Sequence, residues 1–124
     1  MNEACPCGSG RAYTTCCEPI IRGTVQAATA EALMRARYSA YVNEEIDFIV
    51  SSCVSDEGID PEATRKWSRE SKWKGLRIVR TEKGGPKDSE GIVEFVADYE
   101  LDGYKETHRE TARFKKQEIG RAHV

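Results

Sequence analysis

Cys5-Pro6-Cys7-Gly8-Ser9-Gly10-Arg11-Ala12-Tyr13-Thr14-Thr15-Cys16-Cys17 carries four of the five cysteines in the chain, as a Cys-x-Cys pair, an eight-residue spacer and an adjacent pair. Zinc takes four soft ligands at tetrahedral corners, about 2.3 Å away when the ligand is a thiolate. Two closely spaced pairs joined by a loop supply such corners with little chain. Pro6 stiffens the first pair, while Gly8 and Gly10 permit the positive φ angles that a loop folded around an ion requires. Backbone N–H groups of the loop are expected to donate to the sulfurs. Disulfides are the competing use. Adjacent cysteines bond to each other only with strain, Cys-x-Cys is a poor disulfide ring, and no signal peptide indicates an oxidising compartment. The pattern favours a closed structural zinc site, one ion per chain, over disulfide or redox use. Four protein ligands leave no coordination position for a reacting water, so metal catalysis is not expected.

The stretch CPCGSGRAYTTCC resembles the SEC-C motif, the zinc knuckle at the C-terminus of the SecA translocation ATPase and in many short bacterial proteins. EPIIRGTVQAATAEALMRARYSAY, SKWKGLRI, GIVEFVADY and HRETARF are similar to the YchJ family, in which a SEC-C motif precedes a nuclear transport factor 2-like domain. The resemblance covers roughly residues 3–115. It implies Cys5, Cys7, Cys16 and Cys17 as metal ligands, Cys17 standing where SecA-type knuckles often have His. By analogy with SecA it also implies contact with another protein. SEC-C spacers are usually lysine-rich, whereas Arg11 is the only basic residue of this one.

A chain of 124 residues suffices for one domain and a small appendage. Charged residues make up 32% of it, yet the net charge is −2, which gives no field favouring nucleic acid, ribosome or membrane. No apolar run approaches the roughly 18 residues that span a bilayer. The expected protein is soluble, bacterial and cytoplasmic.

Outward from the cysteines, residues 19–28 read as a linker, with Ile20 and Ile21 docking on the core. Thr29 is a plausible N-cap for a helix whose inner face carries Ala30, Leu33, Met34, Arg37, Tyr38 and Tyr41; Arg35, Ser39 and Asn43 lie opposite. A second helix, about Glu44 to Cys53, buries Ile46, Phe48, Ile49 and Cys53. Asp60-Pro61 starts a third, with Trp67, running to about Ser71. From Gly75 the period becomes two. One strand runs to the Gly84-Gly85-Pro86 turn, and a second, Ile92 to Leu101, turns Val93, Phe95, Ala97, Tyr99 and Leu101 to one face. Asp102-Gly103 signals a hairpin into a third strand, Tyr104 to Lys116. Helices followed by a meander give an α+β domain, with three helices packed on a curved antiparallel sheet. Its expected extent is 29–117, after the 1–18 knuckle. Residues 118–124 read as the in-frame translation of a sequencing adapter. They are expected to be non-native, with the family's last strand missing and an open sheet edge left behind.

Arg37 breaks the apolar pattern of its helix face and requires a partner. The parity of Ala112 and Phe114 turns His108 and Glu110 to the same side. Arg37, Tyr38, Tyr41, His108 and Glu110 could therefore converge in the cup of the sheet. The favoured outcome is an Arg37–Glu110 pair fixing helix to sheet, and the other is a ligand pocket or acid–base site. The leading function is a zinc-binding accessory protein that contacts another protein. The alternative is a small-molecule binding, hydrolase or isomerase-type domain using the cup. Nucleic-acid binding is disfavoured by charge.

Overall fold

A computed structural model of the chain describes residues 4–52, 60–85, 87–116 and 122–123. Among the described residues a 3-10 turn, Tyr13–Thr15, joins the two cysteine pairs, and four helices follow: α1 (Glu18–Arg22), α2 (Ala30–Val42), α3 (Ile46–Ser51) and α4 (Pro61–Glu70). Strands β1 (Lys72–Lys83), β2 (Glu90–Leu101), β3 (Tyr104–Lys116) and β4 (Ala122–His123) form one antiparallel sheet in sequence order.

The caps act as their residue types dictate. Thr29 is extended and its Oγ1 accepts from Ala32 N–H at 3.0 Å, which satisfies one of the free donors of the first turn of α2. Asp60 does the same for Glu62 N–H at 3.0 Å, with Pro61 following it. The 19–28 linker holds most of α1. Pro19 opens that helix and Gly23, at φ 83°, closes it with its N–H on Ile20 O. One turn is too short to show a period, although both punctuation marks stand in the sequence.

Asp102 and Gly103, at φ 53° and 83°, make the two-residue turn that pairs Leu101 with Tyr104. β1 begins at Lys72 rather than Gly75, so Trp73 lies in the sheet opposite Tyr99. Its register shifts at Trp73/Gly75 and Ile78/Arg80, and the second bulge leaves Val79 exposed. β4 is two residues long and pairs with Lys115 and Lys116. From Tyr104 to Phe114, β3 has a strand neighbour on one side only among the described residues.

α2 lies on the concave face, where Leu33 and Met34 pack with Val93, Phe95, Ala112 and Phe114. Ala40 with Ile46 and Ile49 joins α2 to α3, and Phe48 adjoins all three clusters. The face of α2 expected to meet solvent does so at Asn43 but not at the other two positions. Ser39 is fully buried and Arg35 half-buried, because the cysteine knuckle packs there. Cys5, Cys7, Cys16 and Cys17 share a cluster with Ala36, Tyr38 and Ala97, flanked by Ile20 and Ile21. The knuckle is thus one wall of the core. Cys53, Pro86, Gln117 and residues 118–121 and 124 lie outside the described residues. No helix among the described residues is long and apolar enough to cross a membrane.

Candidate metal centre

The four thiols meet because the chain doubles back twice. Cys5 N–H donates to Arg11 O at 2.9 Å and Gly8 N–H to Cys5 O at 3.2 Å, which curls the first pair into a loop. Gly8 and Gly10 turn it at φ 81° and 87°. Cys16 N–H donates to Tyr13 O at 3.1 Å, and Ile21 N–H to Cys17 O at 3.0 Å, so the second pair is held between the 3-10 turn and α1.

All four Sγ atoms lie within 4.8 Å of one another, and all four residues are buried. Cys7 Sγ stands 3.7 Å from Cys16 Sγ, which is 3.9 Å from Cys17 Sγ. A tetrahedron with bonds of about 2.3 Å has edges of about 3.8 Å, so these spacings fit a thiolate-bound ion. All four cysteines are free thiols, without disulfides.

A divalent ion with four thiolates carries an excess of negative charge, and the surroundings answer it. Ser9 Oγ lies 3.2 Å and Arg11 Nη2 3.9 Å from Cys16 Sγ, while Ser39 Oγ on α2 lies 3.4 Å from Cys5 Sγ. Arg35 donates from Nη1 to Cys7 O at 2.7 Å and from Nε to Glu31 at 3.0 Å. The Cys17 thiol donates to Cys7 and holds it down to about 4, against burial and with help from the Ser9 side chain and backbone N–H. Cys17 is correspondingly pushed up, through its bond to Cys7 and then burial, and burial also pushes Cys5 up. Negative charge therefore settles first on Cys7.

The cup does not assemble as expected. Arg37 is buried but points at α3, donating from Nη1 to Ser52 Oγ at 2.6 Å and Ile49 O at 3.3 Å. Ile49 O lies in the last turn of α3, where carbonyls lack an intrahelical partner, and it also accepts from Ser52 Oγ at 3.1 Å. Glu110 is exposed and holds His108 Nε2 at 2.8 Å instead. The expected Arg37–Glu110 pair is therefore replaced by an α2–α3 tie and a separate β3 pair. Strand parity did turn His108 and Glu110 to the side of Ala112 and Phe114, since both face β2 residues of that face, Ala97 and Phe95. The structure does bring Tyr38, Tyr41 and His108 into one aromatic chain, through two residues outside the expected set. Trp73 stacks edge-on with Tyr38 at 5.9 Å, and Trp67 meets Tyr41 at 5.2 Å, Trp73 at 5.3 Å and His108 at 6.0 Å. The sequence signal for Arg37 was Ser52, a hydroxyl one turn past Phe48 at the end of an apolar helix. Ser39 had no such signal, for a serine opposite the core face reads as solvent-exposed.

Comparison with known proteins agrees with both halves of the fold. The family description "YchJ, middle NTF2-like domain" matches residues 29–121, and "SEC-C motif" matches residues 1–19. A UPF0225 protein of Geobacter sulfurreducens is 46% identical over 118 residues, covering 94% of this chain and 73% of that protein. One from Pectobacterium carotovorum is 40% identical over 124 residues, covering 94% and 78%. The solution structure of a SEC-C motif containing protein from Rhodopseudomonas palustris superposes with a TM-score of 0.85 at 38% identity, covering 99% of this chain and 94% of the other. A crystal structure of such a protein from Psychrobacter arcticus gives 0.79 at 29% identity, over 96% and 77%. With its cysteine knuckle built against a nuclear transport factor 2-like α+β core, the chain belongs to the YchJ family, whose curated relatives carry the name UPF0225.

Proposed function

We propose that the chain is a zinc-binding accessory protein whose knuckle shapes a surface for another protein. The observation that carries the metal reading is the set of four buried thiols spaced like the edges of a tetrathiolate tetrahedron. Four thiolates favour zinc among the divalent ions of a cell. The donor set is closed, so the ion would act by organising structure. Thiols kept free suit the reducing cytoplasm.

Support for a docking role lies beside the knuckle. α1 and the segment after it enclose a cavity of about 150 Å³ lined by Ile20, Ile21, Val25, Ala27, Leu33 and Phe48. Val25 is 54% exposed at its edge. Because α1 starts directly after Cys17, the ion would set the position of this surface. The test is affinity capture with zinc-loaded, chelated and Val25→Glu protein. A partner held only by the zinc-loaded native chain supports the reading, and one that binds all three forms equally refutes it. Metal analysis expects one zinc per chain.

The competing cup reading finds less support, since Arg37 Nη1 donates to Ser52 Oγ and Ile49 O on α3.

A further inference from the structure

Between the knuckle and the first turns of α2 lies an open groove of about 380 Å³, lined among others by Ser9, Arg11, Cys16, Cys17, Glu31 and Arg35. Cys16 and Cys17 are the two thiols on its wall. Cys16 is 8% exposed, against 5% for Cys5, which is not on the groove wall, 1% for Cys17 and 0% for Cys7. Of the two cysteines on the groove wall, a small oxidant entering it therefore meets Cys16 first. Arg11 Nη2 lies 3.9 Å and Ser9 Oγ 3.2 Å from that sulfur, two donors placed where negative charge would develop on a departing oxygen.

We propose that Cys16 is a hydroperoxide-reactive site, and that its oxidation ends in a Cys7–Cys16 disulfide that dismantles the metal centre. In the first step the Cys16 thiolate attacks one oxygen of the hydroperoxide. The S–O bond forms, the O–O bond breaks, and the second oxygen leaves as hydroxide or alkoxide and takes a proton from water. Sulfur is oxidised by two electrons to the sulfenic acid and the peroxide is reduced. In the second step the Cys7 sulfur, 3.7 Å away, attacks Cys16 sulfur. The S–S bond forms, the S–O bond breaks, and hydroxide departs as water. Cys17 Sγ is nearly as close, at 3.9 Å, but adjacent residues close a disulfide only with strain. Cys5 and Cys17 alone then remain as thiolates, too few to retain the ion. Reduction by a cellular dithiol would restore all four ligands.

The proposal rests on the cysteines holding a metal and needs no partner protein. It is tested on the full chain loaded with zinc, whose content is measured first. Hydrogen peroxide is added with and without dimedone, cysteines are mapped by mass spectrometry, and a chromogenic chelator follows zinc. The expected first dimedone adduct is on Cys16. Without dimedone, a Cys7–Cys16 linkage should form with one zinc lost per disulfide, and dithiothreitol with zinc should reverse both. Arg11→Ala should slow the first adduct severalfold, and an unchanged rate would remove Arg11 from the step. A first adduct on another cysteine, a linkage through Cys5 or Cys17, or zinc retained after the peroxide is consumed overturns the proposal. A chain that holds no zinc at the outset overturns the metal reading and the proposal together.

Discussion

Ser39→Ala is the substitution that most directly tests how the knuckle is joined to the domain. Ser39 is 0% exposed, and its Oγ stands 3.4 Å from Cys5 Sγ. With Cys5 ionised on the metal, the hydroxyl donates to a charged acceptor, a bond that contributes about 1.5–3 kcal/mol. Loss of a group that supports a metal ligand typically weakens metal affinity about 10–100-fold. That factor converts to about 1.4–2.7 kcal/mol, so the two routes agree. The void left by one oxygen is too small for water, so the sulfur keeps only its bonds with the Cys7 backbone N–H and the neighbouring cysteines. Ser9→Ala is the internal control, because Ser9 Oγ lies 3.2 Å from Cys16 Sγ but the residue is only half-buried. Water can replace that hydroxyl, so its loss should weaken affinity less. Chelator competition at fixed pH measures both. Native affinity in Ser39→Ala, or a larger loss in Ser9→Ala, would refute the argument that α2 tunes the site.

Zinc removal should loosen more than the knuckle: hydrogen exchange should rise in α2 around Ala36–Ser39, because Ala36 and Tyr38 pack with the cysteines and Ser39 bonds Cys5; protection unchanged there would show the knuckle to be a separate unit. Ser52→Ala leaves the buried Arg37 guanidinium short of its 2.6 Å partner and should cost about 1–3 kcal/mol in urea unfolding. Glu110→Gln should stay within about 0.5 kcal/mol, as for other exposed sites, and be additive with Arg37→Met. Gly91→Ala should destabilise by about 1–3 kcal/mol, since its Cβ would clash with Gly84 Cα on the facing backbone, visible as a lower urea midpoint. Burial pushes the Tyr38 phenol up to about 12, despite a hydrogen bond with the Gly75 backbone. Below the ordinary value of about 10 both folded and unfolded chains keep the proton. Between there and pH 12 only the unfolded chain loses it, so stability falls as pH rises, by about 2–3 kcal/mol in all. Tyr38→Phe should flatten that alkaline slope in pH-dependent urea unfolding.

The cysteine spacing and the strand meander were legible in the sequence because both are local signals. A tetrathiolate cluster is specified by residue type and a few intervening residues, and Gly8 and Gly10 announce the turns it requires. Alternation along Val93, Phe95 and Ala97, closed by Asp102-Gly103, defines a strand and hairpin without reference to anything distant. Thr29 and Asp60 likewise start their helices by bonding their own neighbours. What the tertiary structure alone decided was who meets whom across the chain. A helical wheel tells which face of α2 is apolar, and the sheet does occupy it. The wheel cannot tell that the polar face is covered too, since Ser39 is buried only because the knuckle folds back 34 positions to reach it. Arg37 poses the same limit. Its need for a partner followed from desolvation, but the choice between Glu110 and the end of α3 depended on distances that no periodicity encodes. Local propensity sets which elements form, whereas burial, and with it the pairing of polar groups, is a property of the packed chain.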